Sequence, residues 1–251
     1  MAPAATITRG ARIVRRPTTV SRDGSSVQYG STVEDSLHDI EPYVANFAVS
    51  MALIQRQEEP LHATVVGFNE RAIGFLGPSG AGKSTLAAFL LSQGARLITD
   101  DMLRITIEKD VAWAHPGPLR LKLRKEVAAR YCGDVASCGR WNPLADKFLF
   151  EPSNPEFRHH PVPLAALFWL SGQPEELGAR NVGLERLSGR ELFKILSAST
   201  MNSRVLNPER LRRQFEFAVR IGRILPVYTL AYRRDYDLLC QVAESLQPFS
   251  R

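Results

Sequence analysis

The stretch GFLGPSGAGKSTLAAFL, residues 74–90, decides the fold. Its centre, Gly77 to Ser84, matches the phosphate-loop pattern G-x-x-x-x-G-K-[ST] (Walker A) in full. An apolar segment precedes the match and good helix formers follow it, which is the strand–loop–helix context that this pattern needs. The stretch therefore predicts an α/β fold in which the glycine loop binds a nucleotide phosphate; the alternative is a loop that binds another anion.

The loop residues have predicted parts in binding ATP. Glycines let successive backbone N–H groups point at phosphate oxygens, and the following helix adds the partial positive charge of its N-terminus. Lys83 is predicted to reach the β- and γ-phosphates, and the Ser84 hydroxyl to coordinate Mg²⁺. The predicted nucleotide contacts are Gly77, Pro78, Ser79, Gly80, Ala81, Gly82, Lys83, Ser84 and Thr85.

Two adjacent aspartates, Asp100 and Asp101, follow the next strand, ARLIT (residues 95–99). Strand, glycine loop, helix and strand form a predicted βαβ unit with a parallel strand pair, so both carboxylates should reach the edge of the sheet where the loop lies. One carboxylate can hold Mg²⁺ while the other takes a proton from an attacking hydroxyl. The alternative is an acidic turn that caps the next segment.

His62 begins the strand LHATVVGF (residues 61–68), directly before the strand of the glycine loop. A histidine at the start of a strand is by itself a structural hydrogen-bonding residue. Its place beside the loop and the two aspartates makes it a candidate site residue instead.

The motifs L-H-A-T-V-V, G-x-S-G-x-G-K-S and G-A-R-L-I-T-D-D, taken in this order, resemble the catalytic domain of HPr serine kinase/phosphorylase and its shorter relatives. The resemblance covers residues 61 to about 105 and is looser through residue 240. It implies an α/β domain of the phosphoenolpyruvate-carboxykinase-like type and ATP-dependent transfer to a serine hydroxyl. By position it implies that Asp100 is the general base, that Asp101 and Ser84 serve Mg²⁺, and that His62 lies near the phosphates.

The chain also departs from that family. Thr85 stands where the bacterial HPr enzymes usually carry Glu, and about 60 residues precede His62 in place of the family's large N-terminal domain. The long glycine-rich stretch that those enzymes carry after the aspartate pair is not found. The likeness is therefore to the short HPr-kinase-like proteins, some of which are associated with ribosomally made peptides such as lasso peptides and phosphorylate a serine of the precursor. This resemblance implies a protein or peptide acceptor other than HPr itself, and it leaves open whether the reverse phosphorylase activity exists.

Composition and charge limit the kinds of partner and the cell compartment that we expect for the chain. The formal net charge of +6 suits an anionic ligand, and the chain has no zinc-finger spacing, RNP-type motif or long Lys/Arg run, so we expect no nucleic-acid partner. The longest apolar stretch, residues 43–54, is too short for a membrane span and predicts an amphipathic helix. Three cysteines without a C-x-x-C pair and the lack of a signal peptide predict a reduced, cytoplasmic protein. Homo-oligomerisation is compatible with the sequence.

The predicted organisation is a small N-terminal unit, residues 1–60, packed on a P-loop kinase domain, residues 61–251. Short strand-like pieces, ARIVRR and SVQYG, and the amphipathic helix make up the first unit.

Two groups of basic residues are candidates for the substrate side. In LRLKLR (residues 119–124) the alternation puts Arg120, Lys122 and Arg124 on one strand face, where they meet phosphate, an acidic peptide or only solvent. A second group near a helix start is expected on the helix surface, the alternative being that one of its members stabilises the transferring phosphoryl group: Arg204, Arg210, Arg212 and Arg213.

Three functions fit these motifs. They are a kinase for serine in a protein or peptide, a kinase for a small alcohol or nucleotide, and an ATPase or switch without a phosphoacceptor. The aspartate pair and His62 favour a kinase over a switch, and the family resemblance favours the first kinase over the second.

Overall fold

Alternating helices and strands form a mixed α/β fold in the computed structural model, which describes residues 18–28, 44–133, 139–142, 147–152, 160–171, 177 and 180–250. The strands are β1 (Thr19–Val20), β2 (Val27–Gln28), β3 (Ala63–Phe68), β4 (Arg71–Leu76), β5 (Arg96–Thr99), β6 (Arg104–Glu108), β7 (Val111–His115), β8 (Leu121–Leu123), β9 (Gly139–Asn142), β10 (Lys147–Phe150), β11 (Val162–Ser171), β12 (Val182–Arg186) and β13 (Val227–Tyr232). The helices are α1 (Ser50–Gln55), α2 (Lys83–Ser92), α3 (Lys125–Tyr131), α4 (Gly189–Ser199), α5 (Pro208–Ile224) and α6 (Leu239–Ser250). A π-helical segment, Val44–Val49, leads into α1, and the two are called the 44–55 helix below.

The main sheet has the strand order β12-β13-β11-β4-β3-β5, and the β6–β7 hairpin joins it where β7 pairs with the start of β11. β11 pairs in parallel with both β4 and β13. β3 runs antiparallel to β4 on one side and to β5 on the other, so β4 and β5 point the same way. The carboxyl ends of β4, β5, β11 and β13 therefore meet at one edge of the sheet.

The predicted pairing of the glycine-loop strand with the aspartate strand is wrong, because β3 lies between them. Asn69 adopts a left-handed φ of 50° in a tight turn, which folds β4 back on β3 as a hairpin. That hairpin occupies the edge of β4 that β5 was expected to take, and β5 pairs with β3 instead. Two strand spacings put β4 and β5 about 10 Å apart. Their common direction is as predicted, so the loop and the aspartates still reach the same edge.

Two apolar cores cover the two faces of the sheet. On one face, α2, α3 and α6 pack against sheet residues such as Phe75, Phe168 and Leu230. On the other, α4 and α5 pack against Leu61, Val65 and Leu167. Because the central strands are buried on both faces, their sequences are continuous apolar runs and not alternating ones.

Several predicted boundaries are confirmed. The side chain of Asn207 accepts a hydrogen bond from the backbone N–H of Arg210 and caps α5, with Pro208 in the first turn. Gly94 follows α2 with a left-handed φ of 92°. A predicted strand, ARIVRR, and Cys138 lie outside the described residues. Within the described part of the chain, no helix combines the length and apolarity that crossing a membrane requires.

Candidate functional site

One edge of the sheet collects the candidate residues. β4 ends at Leu76 and enters the glycine loop, β5 ends at Thr99 and enters Asp100, and the antiparallel β3 begins directly after His62. Backbone direction alone therefore brings the loop, the aspartate pair and the histidine together, as the sequence predicts.

The glycine loop has the backbone that its sequence requires. Gly77, Gly80 and Gly82 have φ values of 144°, 82° and 100°, a region in which side chains other than glycine are strained. Pro78, Ser79 and Gly80 are exposed at the tip of the loop, whereas Gly77 and Ala81 are buried at its base. Ser84 and Thr85 are half-buried in the first turn of α2.

Lys83 is folded onto the loop that precedes it. Its Nζ donates hydrogen bonds of 2.7 Å to the carbonyl oxygen of Gly77 and 3.2 Å to that of Pro78. Burial lowers the pKa of Lys83, while the negative charges of Asp100 and Asp101 act in the opposite direction. The side chain that was predicted to bind phosphate thus lies in the field of both aspartates.

The carboxyl group of Asp100 is enclosed and only partly satisfied. The residue is 3% exposed, and the Thr64 hydroxyl donates a 2.6 Å hydrogen bond to its Oδ1. Its Oδ2 is buried and has no hydrogen-bond partner within the described parts of the chain. Burial, with a smaller contribution from the charge of Asp101, raises the pKa of Asp100 to about 7. This carboxyl group can take up or release a proton near neutral pH.

Asp101 has the opposite environment. Its Oδ2 accepts hydrogen bonds from Lys122 Nζ at 2.5 Å and from Asn46 Nδ2 at 2.8 Å. Although burial alone would raise its pKa, the charge and hydrogen bond of Lys122 lower the pKa of Asp101 below the usual value. Its backbone has a left-handed φ of 66°, which turns the chain sharply after β5. The two neighbouring carboxyls therefore differ in charge state, and Asp101 stays ionised.

His62 faces the turn that Asp101 makes. Its Nδ1 lies 3.1 Å from the carbonyl oxygen of Asp101, and since a carbonyl only accepts, Nδ1 carries the hydrogen. Burial and the charge of Lys83 lower the pKa of His62, so the ring is neutral at neutral pH. Nε2 is then the unprotonated nitrogen.

Three residues around the aspartates were not identified as site residues from the sequence, or only loosely. Lys122 was one of three alternating basic residues in the sequence. In the structure it belongs to the candidate site, because it binds Asp101. Thr64 lies inside a buried apolar strand. A hydroxyl at such a position needs a hydrogen-bond partner, and this need was the one sign in the sequence that Thr64 contacts another polar residue. Asn46 lies in a helix that precedes Asp101 by 55 positions, and nothing in the local pattern marks it.

Arg210 does not lie on a helix surface, as the sequence suggested. Its side chain is 1% exposed and binds the equally buried Glu59, with Nε 3.0 Å from Oε2. Its remaining guanidinium N–H groups donate to the carbonyl oxygens of Met201, Asn202 and Val205. The pair therefore links the chain just before His62 to the start of α5.

A cleft of about 320 Å³ lies beside the aspartates. Val49 and Leu53 of the 44–55 helix form one wall, and Met102, next to Asp101 in the chain, forms another. The same helix holds Asp101 through Asn46. Two connections therefore link the walls of the cleft to Asp101. One is the hydrogen bond from Asn46 on the helix, and the other is the peptide bond between Asp101 and Met102.

The oxygen-bearing side chains at this edge of the sheet are suitable ligands for Mg²⁺. Among the described residues, no group of three or more His, Cys, Asp or Glu side chains could enclose a metal ion. Mg²⁺ is held in nucleotide sites by one or two carboxylates together with phosphate oxygens and water, so an ionised aspartate and a nearby hydroxyl are the expected protein ligands. Asp101 and Ser84 fit that description.

No family model matches the chain, and no curated protein matches it. Among solved structures, the HPr(Ser) kinase/phosphatase from Coxiella burnetii is similar, with a TM-score of 0.40 and 10% sequence identity over 75% of this chain and 94% of that chain. A TM-score this low does not establish a shared fold. The function therefore has to follow from the chemistry of the site.

Proposed function

We propose that the chain is an ATP- and Mg²⁺-dependent kinase that transfers the γ-phosphoryl group to a serine hydroxyl of a protein or peptide. The observation that carries the proposal is the carboxyl of Asp100. It is buried at the edge of the sheet where the glycine loop lies, it has a pKa of about 7, and its Oδ2 has no hydrogen-bond partner among the described residues. A base with a pKa near the working pH is what abstraction of a hydroxyl proton needs.

The glycine loop is the nucleotide end of the site in this proposal. Backbone N–H groups from Ser79 to Ser84 surround the phosphates, and Lys83 exchanges its bonds to the loop carbonyls for bonds to phosphate oxygens. Asp101 and Ser84 would hold Mg²⁺, which would supply positive charge against the negative charge of the phosphates.

Asp100 performs the proton transfer. The acceptor oxygen forms a bond to the γ-phosphorus, the bond from that phosphorus to the bridging oxygen breaks, and the hydroxyl proton passes to Asp100 Oδ2. ADP leaves with the bridging oxygen. The neutral ring of His62 lies against the Asp101 turn, and Lys122 keeps Asp101 ionised while Asp100 is protonated. Positioning and charge neutralisation are the main needs of phosphoryl transfer.

A serine in a protein or peptide is proposed as the acceptor because of the sequence resemblance to the HPr-kinase-like proteins. A small-molecule acceptor and simple ATP hydrolysis remain alternatives. Incubation with γ-labelled ATP, Mg²⁺ and either a pool of serine peptides or a pool of metabolites distinguishes them. Label in peptide supports the proposal, label in metabolites supports the second kinase, and release of free phosphate alone supports the ATPase.

Asp100→Asn should lower the rate of transfer by about 10²- to 10⁴-fold and leave ATP affinity largely intact, because the amide cannot accept the proton. Lys83→Ala should weaken ATP affinity and transfer together. Asp110→Asn, in the exposed β6–β7 turn, is the matched control and should behave as wild type. Transfer by Asp100→Asn at the wild-type rate would refute the assignment of the base.

A further inference from the structure

The cleft beside Asp101 has mostly apolar walls. Val49 and Leu53 face it from the 44–55 helix, Met102 from the turn after Asp101, and Pro161 from the start of β11. Its volume of about 320 Å³ is at the small end for a ligand pocket, enough for one large side chain but not for a nucleotide.

The polar wall of the cleft carries no net charge. Arg104 contacts Glu58 twice, from Nε at 2.5 Å and from a terminal nitrogen at 3.2 Å, so the two charges cancel. The ring of His115 lies between the Arg104 guanidinium and the Thr106 hydroxyl, which is 2.9 Å from Nε2. Burial and the charge of Arg104 lower the pKa of His115, so this ring is neutral as well. Among the described residues that line the cleft, no cation is left unpaired for an anionic ligand.

The cleft and the aspartate pair are held in one arrangement. Asn46 on the 44–55 helix donates to Asp101, one turn before Val49. On the opposite wall, the Thr99 hydroxyl donates a 2.8 Å hydrogen bond to the carbonyl oxygen of Met102. Gly117 packs so tightly against Thr99 that an added Cβ would lie 2.1 Å from the hydroxyl oxygen. A group in the cleft therefore contacts Met102, the residue directly after the aspartate pair, and the helix that holds Asp101 through Asn46.

We infer that this cleft, lined by Val49, Leu53 and Met102, binds an apolar side chain next to the acceptor serine of a peptide. The inference rests on the proposed kinase function and adds the substrate class to it. A charged side chain would lose its hydration in the cleft without gaining a partner, whereas an aliphatic or aromatic one loses nothing. Phosphorylated and carboxylated small molecules are disfavoured for the same reason.

The experiment uses synthetic serine peptides that differ only at the positions next to the serine, which carry Leu, Phe, Ala, Glu or Lys. With wild-type protein and saturating ATP, we expect kcat/KM for the best Leu or Phe peptide to exceed that of its Glu or Lys counterpart by about tenfold or more. Leu53→Trp fills the cleft and should remove that preference while KM for ATP stays within about twofold. Val49→Trp, at a 37% exposed position, is a second variant that should fold if the first does not.

Leu211→Trp is the matched control, because this leucine is exposed on α5 and does not line the cleft. Circular dichroism confirms that each variant is folded before its kinetics are compared. Two outcomes would overturn the inference and leave the kinase function standing. One is that wild-type protein labels peptides without a preference at the neighbouring positions, and the other is that both Trp variants keep the preference. No label in any peptide from wild-type protein that binds ATP would overturn the kinase function and this inference together.

Discussion

The buried carboxyl of Asp100 makes the stability of the protein depend on pH, and Asp100→Asn should remove that dependence. Its pKa is raised from 3.8 to about 7 in the folded chain. The folded state therefore holds the proton more tightly than the unfolded state does. Between these two pKa values the unfolded chain binds fewer protons, so the free energy of unfolding falls as the pH rises.

The size of the effect follows from the two pKa values. From pH 5 to pH 7 the carboxyl is ionised in the unfolded chain, whereas in the folded chain it changes from protonated to half ionised. Each pH unit then lowers the free energy of unfolding by at most about 1.4 kcal/mol, which amounts to about 2 kcal/mol over the interval. Asp100→Asn lacks this proton and should not show the loss. The asparagine amide is placed where Oδ2 has no partner, so it lowers the free energy of unfolding by roughly 1–3 kcal/mol at every pH. Only the change of this free energy with pH therefore tests the prediction.

Urea unfolding of wild type and Asp100→Asn at pH 5, 6, 7 and 8 measures the slope. Titrating groups that do not interact with Asp100 are common to both proteins and cancel in the difference between them. That difference should change by about 3 kcal/mol in favour of the variant between pH 5 and pH 8. Asp110→Asn, at an exposed turn, should follow wild type throughout.

Parallel stability curves for wild type and Asp100→Asn would show that Asp100 has an ordinary pKa in the folded protein. The assignment of this residue as a base active near neutral pH would then lose its physical support, whatever the transfer assay gives.

Three other substitutions test neighbouring contacts. Thr64→Val removes the hydrogen bond that lowers the pKa of Asp100, so the acid limb of the pH–rate profile for kcat should move to higher pH. Lys122→Met removes the cation that keeps Asp101 ionised and should cost roughly 2 kcal/mol of unfolding free energy at pH 7. Because the pKa of Asp101 is lowered on folding, this loss should shrink as the pH falls below about 4, which urea unfolding at pH 3 and 7 measures. Gly82→Ala forces a side chain into a φ of 100° and should lower both the melting temperature and ATP affinity.

Gly94→Ala is the control for the loop glycine, because its φ of 92° is similar and no atom lies within 4 Å of an added Cβ. It should lose similar stability and keep full ATP affinity. Equal ATP affinities in the two alanine variants would show that the loop conformation does not matter for binding. An unmoved pH–rate profile in Thr64→Val, or equal losses at pH 3 and 7 in Lys122→Met, would contradict the respective predictions.

The sequence predicts local structure here better than it predicts strand neighbours. The glycine pattern, the Asn207 cap and the apolar runs mark elements whose bounds agree with the structure to within a few residues. The insertion of β3 between β4 and β5 was not predictable from these signals, because a hairpin and a βαβ unit compete for the same edge of β4. Which of the two pairings forms depends on how β3, β4 and β5 pack together, and no single segment of the sequence specifies that packing.

The candidate site shows the same limit. Asp100, Asp101, His62 and the loop come together because motif order and strand direction are enough to place them. Their contrasting carboxyl environments depend on Thr64 and on partners from distant parts of the chain, which only the folded structure supplies. The roles assigned to them remain predictions until the assays are done.

The buried pair of Glu59 and Arg210 joins positions that are 151 residues apart. Such a long loop closes late, and a guanidinium needs near-final geometry to satisfy all its donors, so we expect the pair to form after the folding transition state. An interaction that is made late on folding must break early on unfolding. It slows unfolding much more than it speeds folding. Whatever free energy of unfolding the pair contributes would therefore appear almost entirely as a lower unfolding rate, so the segment before His62 should be kinetically as well as thermodynamically stabilised.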